Sequence, residues 1–363
     1  MNPLQENNLH EAIGQLRQEI DQLDTQMLTL LNARMHLVKQ IGDLKNANNA
    51  IVYRPEREKQ IIDRLSSLSE GLLNRPAIEA IFQEIFAVSR NIELLEKVAF
   101  LGPVGSFSHQ AAESRFGAMS EYIPLPTIKA VFESVDTQRV RFGVVPIENN
   151  QEGTVTETID LLNQTDIKIV AEIPMAIHFA LASCEEQIKS VKKIYSREIA
   201  FRQCRRFLED CFPQAELVSV ESTSKAAELA AQEPGTAALC SHIAAKIYDV
   251  PVLFENVEDN AHNTTRFFII SKSFVNQPSG QDKTTILVNL PDQAGSLATF
   301  LQTFDRYGVN LNKIESHPRK NEAQFSYWFY IDFEGHFQDE TTRKVFERYE
   351  EQIRCLGSYI KLC

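Results

Sequence analysis

Two cations on the apolar face of a predicted helix are the first candidates for chemistry. With about 100° between successive residues, Arg34 and Lys45 fall within a few tens of degrees of Leu23, Met27 and Ile41. A cation among apolar side chains is unfavourable unless an anion meets it. The pattern favours a site for a small polyanion over cations that pair internally or extend into solvent.

Further charges flank this face. Arg17 lies roughly 100° round the helix from Arg34, where it is able to serve a neighbouring chain. Arg57 and Glu58 follow near the start of a second predicted helix.

The region that carries these charges, residues 1–96, is predicted to be all helical. No proline interrupts residues 10–46, Pro55 starts a second helix, and Pro76 opens a third. One long helix with two short companions cannot cover its own apolar face. We therefore predict a homodimer or a higher homo-oligomer.

Residues 97–272 alternate between strand and helix patterns and are predicted to form a two-lobed α/β domain. Polar segments at 102–108, 145–149 and 221–224 fall at the carboxyl ends of strands, where open sheets bind ligands.

A polar segment, 273–282, reads as a linker. Beyond it, residues 283–363 have the βαββαβ order of a ferredoxin-like α+β domain. This last domain lacks paired catalytic groups.

Composition excludes several classes of protein. The 363 residues are 43% hydrophobic and 24% charged, which is ordinary for globular proteins. A net charge of -12 argues against nucleic acid or an acidic membrane as partner, and requires local cations to hold any anionic substrate. The six cysteines are scattered without metal-ligand spacing, which predicts reduced thiols. We expect a cytoplasmic protein, since no apolar run approaches membrane-spanning length.

The motifs of all three regions, taken in order, carry a family resemblance. They are GPVGSFS at 102–108, VPIEN at 145–149, Gly153, ESTS at 221–224, NTTRF at 263–267, GSL at 295–297 and ESHP at 315–318. Over nearly its whole length the chain resembles the bifunctional chorismate mutase–prephenate dehydratases of phenylalanine biosynthesis. The last two motifs resemble the effector-binding motifs of an ACT regulatory domain.

For the helical region, the resemblance implies a site for chorismate, a dicarboxylate. Its binding residues are Arg17, Arg34, Lys45, Arg54, Arg57, Glu58, Ser89 and Glu93. The reaction is pericyclic and needs no nucleophile, metal or cofactor, only orientation and stabilisation of charge on the ether oxygen. Lys45 is assigned to that oxygen, and Arg17 would come from the partner chain.

Two of these positions depart from the family pattern. Arg54 stands where the family often has Asp, and Glu93 where many members have Gln. Because a carboxylate would repel a developing negative charge, we expect Glu93 to act as a proton donor in its neutral form.

For the α/β region, the resemblance implies loss of water and carbon dioxide from prephenate, again without a cofactor. Thr265 takes the acid or hydrogen-bonding role, and Arg266 is a charged orienter. The full predicted set is Ser106, Glu148, Asn149, Ser222, Thr223, Ser224, Thr265, Arg266 and Phe267. Arg197, where members often have His, is left out, and Cys204 is expected in the core rather than as a nucleophile.

The C-terminal domain is expected to bind phenylalanine as an inhibitory effector. The predicted contacts are Gly295, Ser296, Leu297, Glu315, Ser316, His317 and Pro318. His317 stands where the family commonly has Arg.

Two alternatives remain open from the sequence. One is a monofunctional prephenate dehydratase whose helical region only dimerises. The other is a non-catalytic sensor that binds an aromatic amino acid or another solute between two α/β lobes.

Overall fold

A computed structural model describes residues 3–47, 54–93, 96–117, 119–318 and 327–361, without the side chains of residues 3–11 and 46–47. Within this part of the chain no helix is both long and apolar enough to cross a membrane. The predicted fold class, a helical region followed by an α/β region and an α+β region, is confirmed.

The N-terminal region consists of three helices. They are α1 (Pro3–Ala47), α2 (Pro55–Leu68) and α3 (Arg75–Glu93). Gly42 brings α1 close to α3, since a Cβ at this position would lie 3.1 Å from the Cα of Glu93. Large apolar side chains of α1 remain exposed in the single chain: Leu16, Ile20, Leu23, Met27, Leu30, Leu37 and Ile41. The chain therefore does not cover the apolar face of its own long helix.

The α/β region is built on two mixed sheets. Its strands are β1 (Lys97–Leu101), β2 (Glu121–Leu125), β3 (Phe142–Asn149), β4 (Gly153–Thr154), β5 (Lys168–Ala176), β6 (Ala180–Ala182), β7 (Lys193–Ser196), β8 (Glu216–Ser219), β9 (Thr236–Cys240), β10 (Val252–Phe254) and β11 (Thr264–Ser271). Its helices are α4 (Phe107–Phe116), α5 (Ile128–Asp136), α6 (Thr156–Gln164), α7 (Glu198–Gln203), α8 (Arg205–Cys211), α9 (Thr223–Gln232) and α10 (His242–Ile247).

The two sheets define the two lobes. The first has the order β2-β1-β3-β11-β5, with β4 paired to β3, and the second has the order β10-β6-β9-β7-β8. The chain leaves the first sheet after β5 and returns to it only at β11. Because Thr264, the first residue of β11, pairs with Ala176, the last residue of β5, the two crossings lie side by side. The sequence patterns missed β2, α5, β4 and β10, which are short or carry no clear alternation.

The C-terminal region is a four-stranded antiparallel sheet with two helices. Its elements are β12 (Asp282–Val288), α11 (Ser296–Arg306), β13 (Leu311–Pro318), β14 (Tyr327–Glu334), α12 (Glu340–Arg348) and β15 (Ile353–Ile360). The sheet order is β13-β14-β12-β15. The predicted βαββαβ order is thus observed, although the predicted strand start at 324–326 lies outside the described residues.

The C-terminal sheet is covered on both faces. Ile286, Ile331 and Phe333 pack under the helices with Phe300 and Val345. The opposite face joins the core of the first α/β sheet through Leu287, Trp328, Tyr330, Leu356 and Tyr359. Gly357 permits this approach, because a Cβ there would lie 2.1 Å from the carbonyl oxygen of Ile169.

The predicted linker is docked rather than free. Phe274 is buried in the core of the α/β region. Asn276 donates from Nδ2 to the carbonyls of Val170 and Ser358, both at 2.8 Å. The C-terminal sheet therefore holds a defined place against the α/β region.

Candidate functional site

The contact between α1 and α3 brings together four of the predicted chorismate-binding residues. Nη1 of Arg34 donates to Oγ of Ser89 at 2.5 Å, and Nζ of Lys45 donates to Oε2 of Glu93 at 2.7 Å. Ser89 and Glu93 are one turn apart on α3, while Arg34 and Lys45 are three turns apart on α1. The four polar groups form a line along the helix contact. We name Arg34, Lys45, Ser89 and Glu93 the Arg34 line.

Arg34 is the least compensated cation of this line. Its guanidinium carbon lies 5.9 Å from the centre of the Phe86 ring, and its hydrogen-bond partner Ser89 is neutral. Burial lowers the pKa of the Arg34 guanidinium, and nearby Glu93 opposes that shift. A cation withdrawn from water beside a neutral partner is stabilised by any anion that binds next to it.

Three other predicted residues of this site are exposed in the single chain. They are Arg17, Arg54 and Arg57. The carbonyl of Arg54 accepts the N–H groups of Arg57 and Glu58, both at 3.1 Å, and so begins α2. In the part of the chain that is described, no contact joins these three side chains to the Arg34 line.

Glu58 is engaged at the boundary between the helical and α/β regions. Its carboxylate pairs with Arg90 of α3 and, at 3.3 Å, with Nη2 of Arg115 of α4. A buried carboxylate needs such partners, because its desolvation is otherwise uncompensated. Its predicted role in binding chorismate stays a prediction.

A second cluster lies where the chain crosses between the two sheets. Nδ2 of Asn149 donates to Oγ1 of Thr265 at 2.8 Å and to Oδ1 of Asn263 at 2.9 Å. Oδ1 of Asn149 accepts the N–H groups of Gln151 and Glu152, at 2.9 and 3.1 Å. The amide is therefore fixed, and the hydroxyl of Thr265 accepts from it. The hydrogen of that hydroxyl is not used in this contact and is available to a bound molecule.

The hydrogen bonds continue from this pair across the two lobes. Nδ2 of Asn263 donates to Oε1 of Gln203 at 3.3 Å, and Nε2 of Gln203 donates to Oε1 of Gln151 at 3.1 Å. A cavity of about 300 Å³ opens here, lined by Gln151, Glu152, Ile199, Arg202, Gln203, Glu258, Asp259, Asn260 and Asn263.

Gln203 and Asn263 were absent from the predicted site, although Gln203 precedes Cys204 and Asn263 begins the NTTRF motif. Cys204, weighed as a core residue, is buried, and burial raises the pKa of its thiol. This placement suits packing rather than nucleophilic chemistry.

The predicted serines mainly hold the loops of the two lobes. Oγ of Ser106 caps α4 by accepting from N of His109 at 3.3 Å, and Oγ of Ser222 caps α9 by accepting from N of Lys225 at 2.9 Å. Oγ of Ser224 donates to the carbonyl of Val104 and so ties α9 to the 102–108 loop. Thr223 is buried beside them.

Glu148 and Arg266 do not share the face of the Asn149–Thr265 pair. Glu148 and Arg266 precede and follow the Asn149–Thr265 pair by one residue on β3 and β11, and strand side chains alternate between faces. Both charged side chains therefore point to the C-terminal sheet: Arg266 pairs with Asp332 and Glu148 with Lys313, each at 2.8 Å. Arg266 thus lies on the face opposite Thr265, and Phe267 packs in the core, while their predicted roles in binding prephenate stay predictions.

A separate cavity, of about 720 Å³, lies at the helix side of the C-terminal sheet. Its lining is Asn289, Leu290, Pro291, Asp292, Gln293, Ser296, Leu297, Ser316, Tyr327, Phe329, Glu351 and Gln352. Three predicted effector contacts, Ser296, Leu297 and Ser316, are among them. Gly295, with φ of 86°, forms the turn before α11.

The other predicted effector contacts lie elsewhere. Glu315 accepts from Oγ1 of Thr154 at 2.6 Å on the face that meets the α/β region. His317 is buried and stacks on Trp328, with 4.7 Å between ring centres. Pro318 is exposed and outside the cavity lining. The alternation of β13 again explains why Ser316 and its two neighbours face opposite sides.

Comparison with known proteins assigns each region. Residues 16–94 match the family model of chorismate mutase type II, 98–274 that of prephenate dehydratase, and 284–351 that of the ACT domain. The fold and sites thus define a multidomain enzyme with a mutase, a dehydratase and a regulatory-type domain.

Relatives match over the full length as well. The bifunctional chorismate mutase/prephenate dehydratase of Aquifex aeolicus is 39% identical over 97% of this chain and 98% of its own. The chain belongs to the bifunctional chorismate mutase/prephenate dehydratase family.

Solved structures resemble the α/β and C-terminal regions together. A prephenate dehydratase from Arthrobacter aurescens in complex with L-Phe has a TM-score of 0.66 and 32% identity, over 73% of this chain and 90% of that one. A protein described as a novel type of quorum-quenching acylase also has a TM-score of 0.66, with 25% identity over 73% of this chain and 97% of its own. The shared fold therefore accommodates more than one named activity, and the site must decide between them.

Proposed function

We propose that the chain rearranges chorismate to prephenate at the α1–α3 contact and converts prephenate to phenylpyruvate beside Thr265. The mutase assignment is carried by the line of Arg34, Ser89, Lys45 and Glu93. Arg34 binds a substrate carboxylate, and Lys45 stabilises charge on the ether oxygen as the bond breaks. Substrate binding opens the Lys45–Glu93 pair, which leaves the Glu93 carboxyl beside the same oxygen.

The dehydratase assignment is carried by the Asn149–Thr265 hydrogen bond, which leaves the threonine hydrogen free to donate. Thr265 supplies a proton to the departing hydroxide, which leaves as water. The electron pair of the bond to the departing carboxylate enters the ring, and carbon dioxide is released. Because the product ring is aromatic, the protein needs only to orient the substrate and protonate the leaving group.

We further propose that the mutase site is shared between two chains and that the protein is a cytoplasmic homodimer or higher homo-oligomer. The exposed apolar face of α1 supports this, since an apolar surface of this extent is stabilised by a partner. Arg17, exposed in the single chain, would enter the partner's site. The proposed domain boundaries are 1–96, 97–272 and 283–363, joined by 273–282.

A complementation experiment tests the shared site. Arg17→Ala and Arg34→Ala should each abolish mutase activity, because each removes a cation from every site. Mixed and refolded at equal amounts, they should recover about a quarter of the wild-type activity, since half the dimers then contain one intact site of two. No recovery, despite heterodimers verified by mass spectrometry, would place both arginines in one chain's site.

We also propose that phenylalanine binds the cavity of the ACT domain and inhibits dehydration. The support is the cavity at the start of α11, whose N–H groups suit a carboxylate. Gly295→Ala should weaken phenylalanine binding about fivefold in calorimetry. The left-handed backbone conformation at this position is about 1 kcal/mol less favourable for alanine than for glycine, so the turn should shift and displace Ser296.

Gly308 offers a matched control at the other end of the same helix. It also has a positive φ, 66°, and, as at Gly295, an added Cβ would meet nothing within 4 Å. Gly308→Ala should lower stability similarly while leaving the dissociation constant for phenylalanine unchanged. Equal loss of binding in both variants would remove Gly295 from the effector site.

The remaining alternatives make different predictions for one assay. Incubation of the intact protein with chorismate should yield prephenate and then phenylpyruvate. A dehydratase with a merely dimerising helical region would turn over supplied prephenate only, and a non-catalytic sensor would turn over neither. The Arg34 line favours the bifunctional enzyme, since a dimerising helix has no need of cations withdrawn from water.

A further inference from the structure

The boundary between the dehydratase and ACT domains contains four charged side chains in a square. Glu148 and Arg266 are directly opposite each other on β3 and β11, and Lys313 and Asp332 are directly opposite each other on β13 and β14. Across the boundary, Arg266 meets Asp332 at 2.8 Å and Lys313 meets Glu148 at 2.8 Å. Nη1 of Arg266 lies 3.7 Å from Oε2 of Glu148. We name these four residues the ion quartet.

The side chains of the ion quartet are 0 to 31% exposed, and they are held from several sides. The Asp332 side chain is 0% exposed, and its Oδ1 accepts from Oγ1 of Thr285 at 2.7 Å. Although burial alone would raise the pKa of Asp332, Arg266 and Lys283 lower it, so the carboxylate is charged. Lys283 also pairs with Glu172 at 2.9 Å. Such a set is rigid, because displacing one member leaves another charge buried and unpaired.

The quartet is one residue away from the dehydratase pair. Glu148 precedes Asn149, and Arg266 follows Thr265, so the quartet fixes the backbone from the face opposite the substrate. Lys313 additionally approaches Oγ1 of Thr154 on β4, at 3.3 Å, and this strand closes the turn that holds Asn149. A displacement of Lys313 or Asp332 therefore moves the groups that hold the reacting hydroxyl.

The same two ACT strands line the effector cavity on their other face. Ser316 of β13 and Tyr327 and Phe329 of β14 line the cavity, while Lys313 and Asp332 face the dehydratase domain. The effector cavity and the ion quartet therefore lie on opposite faces of one sheet, with no intervening layer.

We propose that Lys313 and Asp332 are positioning residues for the dehydratase reaction: through the ion quartet the ACT domain sets the placement of Asn149 and Thr265, and a ligand in the effector cavity acts on the reaction through the same contacts. This inference rests on the proposed dehydratase and phenylalanine sites.

Lys313→Met is the sharpest test, because methionine removes the charge and retains most of the apolar stem of lysine. In the intact protein, kcat for prephenate should fall at least about fivefold with KM changed less than twofold, as expected when the reacting group is misplaced. Phenylalanine should still bind with an unchanged dissociation constant by calorimetry. Saturating phenylalanine should then lose most of its inhibition of dehydration, because the bound effector no longer acts on the dehydratase pair. Lys313→Arg keeps the charge. It should therefore retain most of the wild-type kcat and most of the inhibition by phenylalanine.

Arg354→Gln is the matched control at the same domain boundary. Arg354 donates from Nη1 to the carbonyl of Asn163 at 2.6 Å, near the Lys168 end of β5. Thr264 pairs with Ala176 at the opposite end of β5. The Arg354 contact is therefore separated from the dehydratase pair by the length of β5, roughly 25 Å. Arg354→Gln should leave both kcat and inhibition as in the wild type.

The outcomes separate the parts of the proposal. Wild-type kcat in Lys313→Met overturns the positioning role, and undiminished inhibition overturns the coupling. Equal losses in Arg354→Gln would show that general docking, not the quartet, matters. If the wild type does not dehydrate prephenate or bind phenylalanine, the proposed function fails instead. Asp332→Asn should reproduce the Lys313→Met pattern, with chorismate rearrangement as the measure of folding.

Discussion

Replacing Thr265 by alanine should lower prephenate dehydration about 10³-fold and leave chorismate rearrangement unchanged. The variant removes the hydroxyl that protonates the leaving group, and general acid catalysis contributes about 10²–10⁴-fold. Asn149 remains held by Asn263 and by the N–H groups of Gln151 and Glu152, so the surrounding loop should persist. The measurement is kcat with supplied prephenate, with mutase activity of the same sample as reference.

Two variants make this result specific. Thr264→Ala removes the same atoms from the adjacent residue, whose side chain points to the other face of β11, and should retain near-normal kcat. Thr265→Ser keeps a hydroxyl and should retain a substantial part of the activity. Near-normal dehydration by Thr265→Ala would exclude this residue from the mechanism. Gln203 and Asn263, in the same hydrogen-bond network, would then be the next residues to replace.

Replacing Arg34 or Lys45 by alanine should abolish most mutase activity while dehydratase activity on supplied prephenate survives. Each loss removes a charge-assisted contact in a site withdrawn from water, worth about 3 kcal/mol or roughly 10²-fold in kcat/KM. Lys45→Ala should act mainly on kcat, because the ether oxygen gains charge only as the bond breaks. Arg34→Ala should also raise KM, because the carboxylate it binds is charged throughout.

Lys39→Ala is the control on the same helix. Lys39 is an exposed cation on another face of α1, so its removal should leave both activities near the wild type. The loss of dehydratase activity together with mutase activity, in folded Arg34→Ala, would contradict separate sites. The ion pair between Glu58 and Arg115 joins the helical and α/β regions, and Arg34 takes no part in it.

Much of the architecture follows from local patterns. The helix limits at Pro55 and Leu68, the strand at Thr236–Cys240 and the βαββαβ order were predicted, because proline, apolar periodicity and turn residues act over a few neighbouring positions. The placement of Arg34 and Lys45 on one face of α1 was also predictable, since an amphipathic helix assigns faces through its own period, whereas Ser89 and Glu93 came from the family resemblance. The same argument predicts the apolar face of α1, which is exposed in the single chain.

The sequence by itself indicated the three regions and their order, and through the family resemblance it predicted the residues of the mutase site and Thr265 for the dehydratase site. Only the tertiary structure decided which neighbours of Thr265 share its face. Glu148 and Arg266, predicted through the family resemblance, point to Lys313 and Asp332, residues more than 60 positions away in the chain. The partners of a strand residue depend on which sheet packs against each face, and that is a property of long-range packing, which no local period contains.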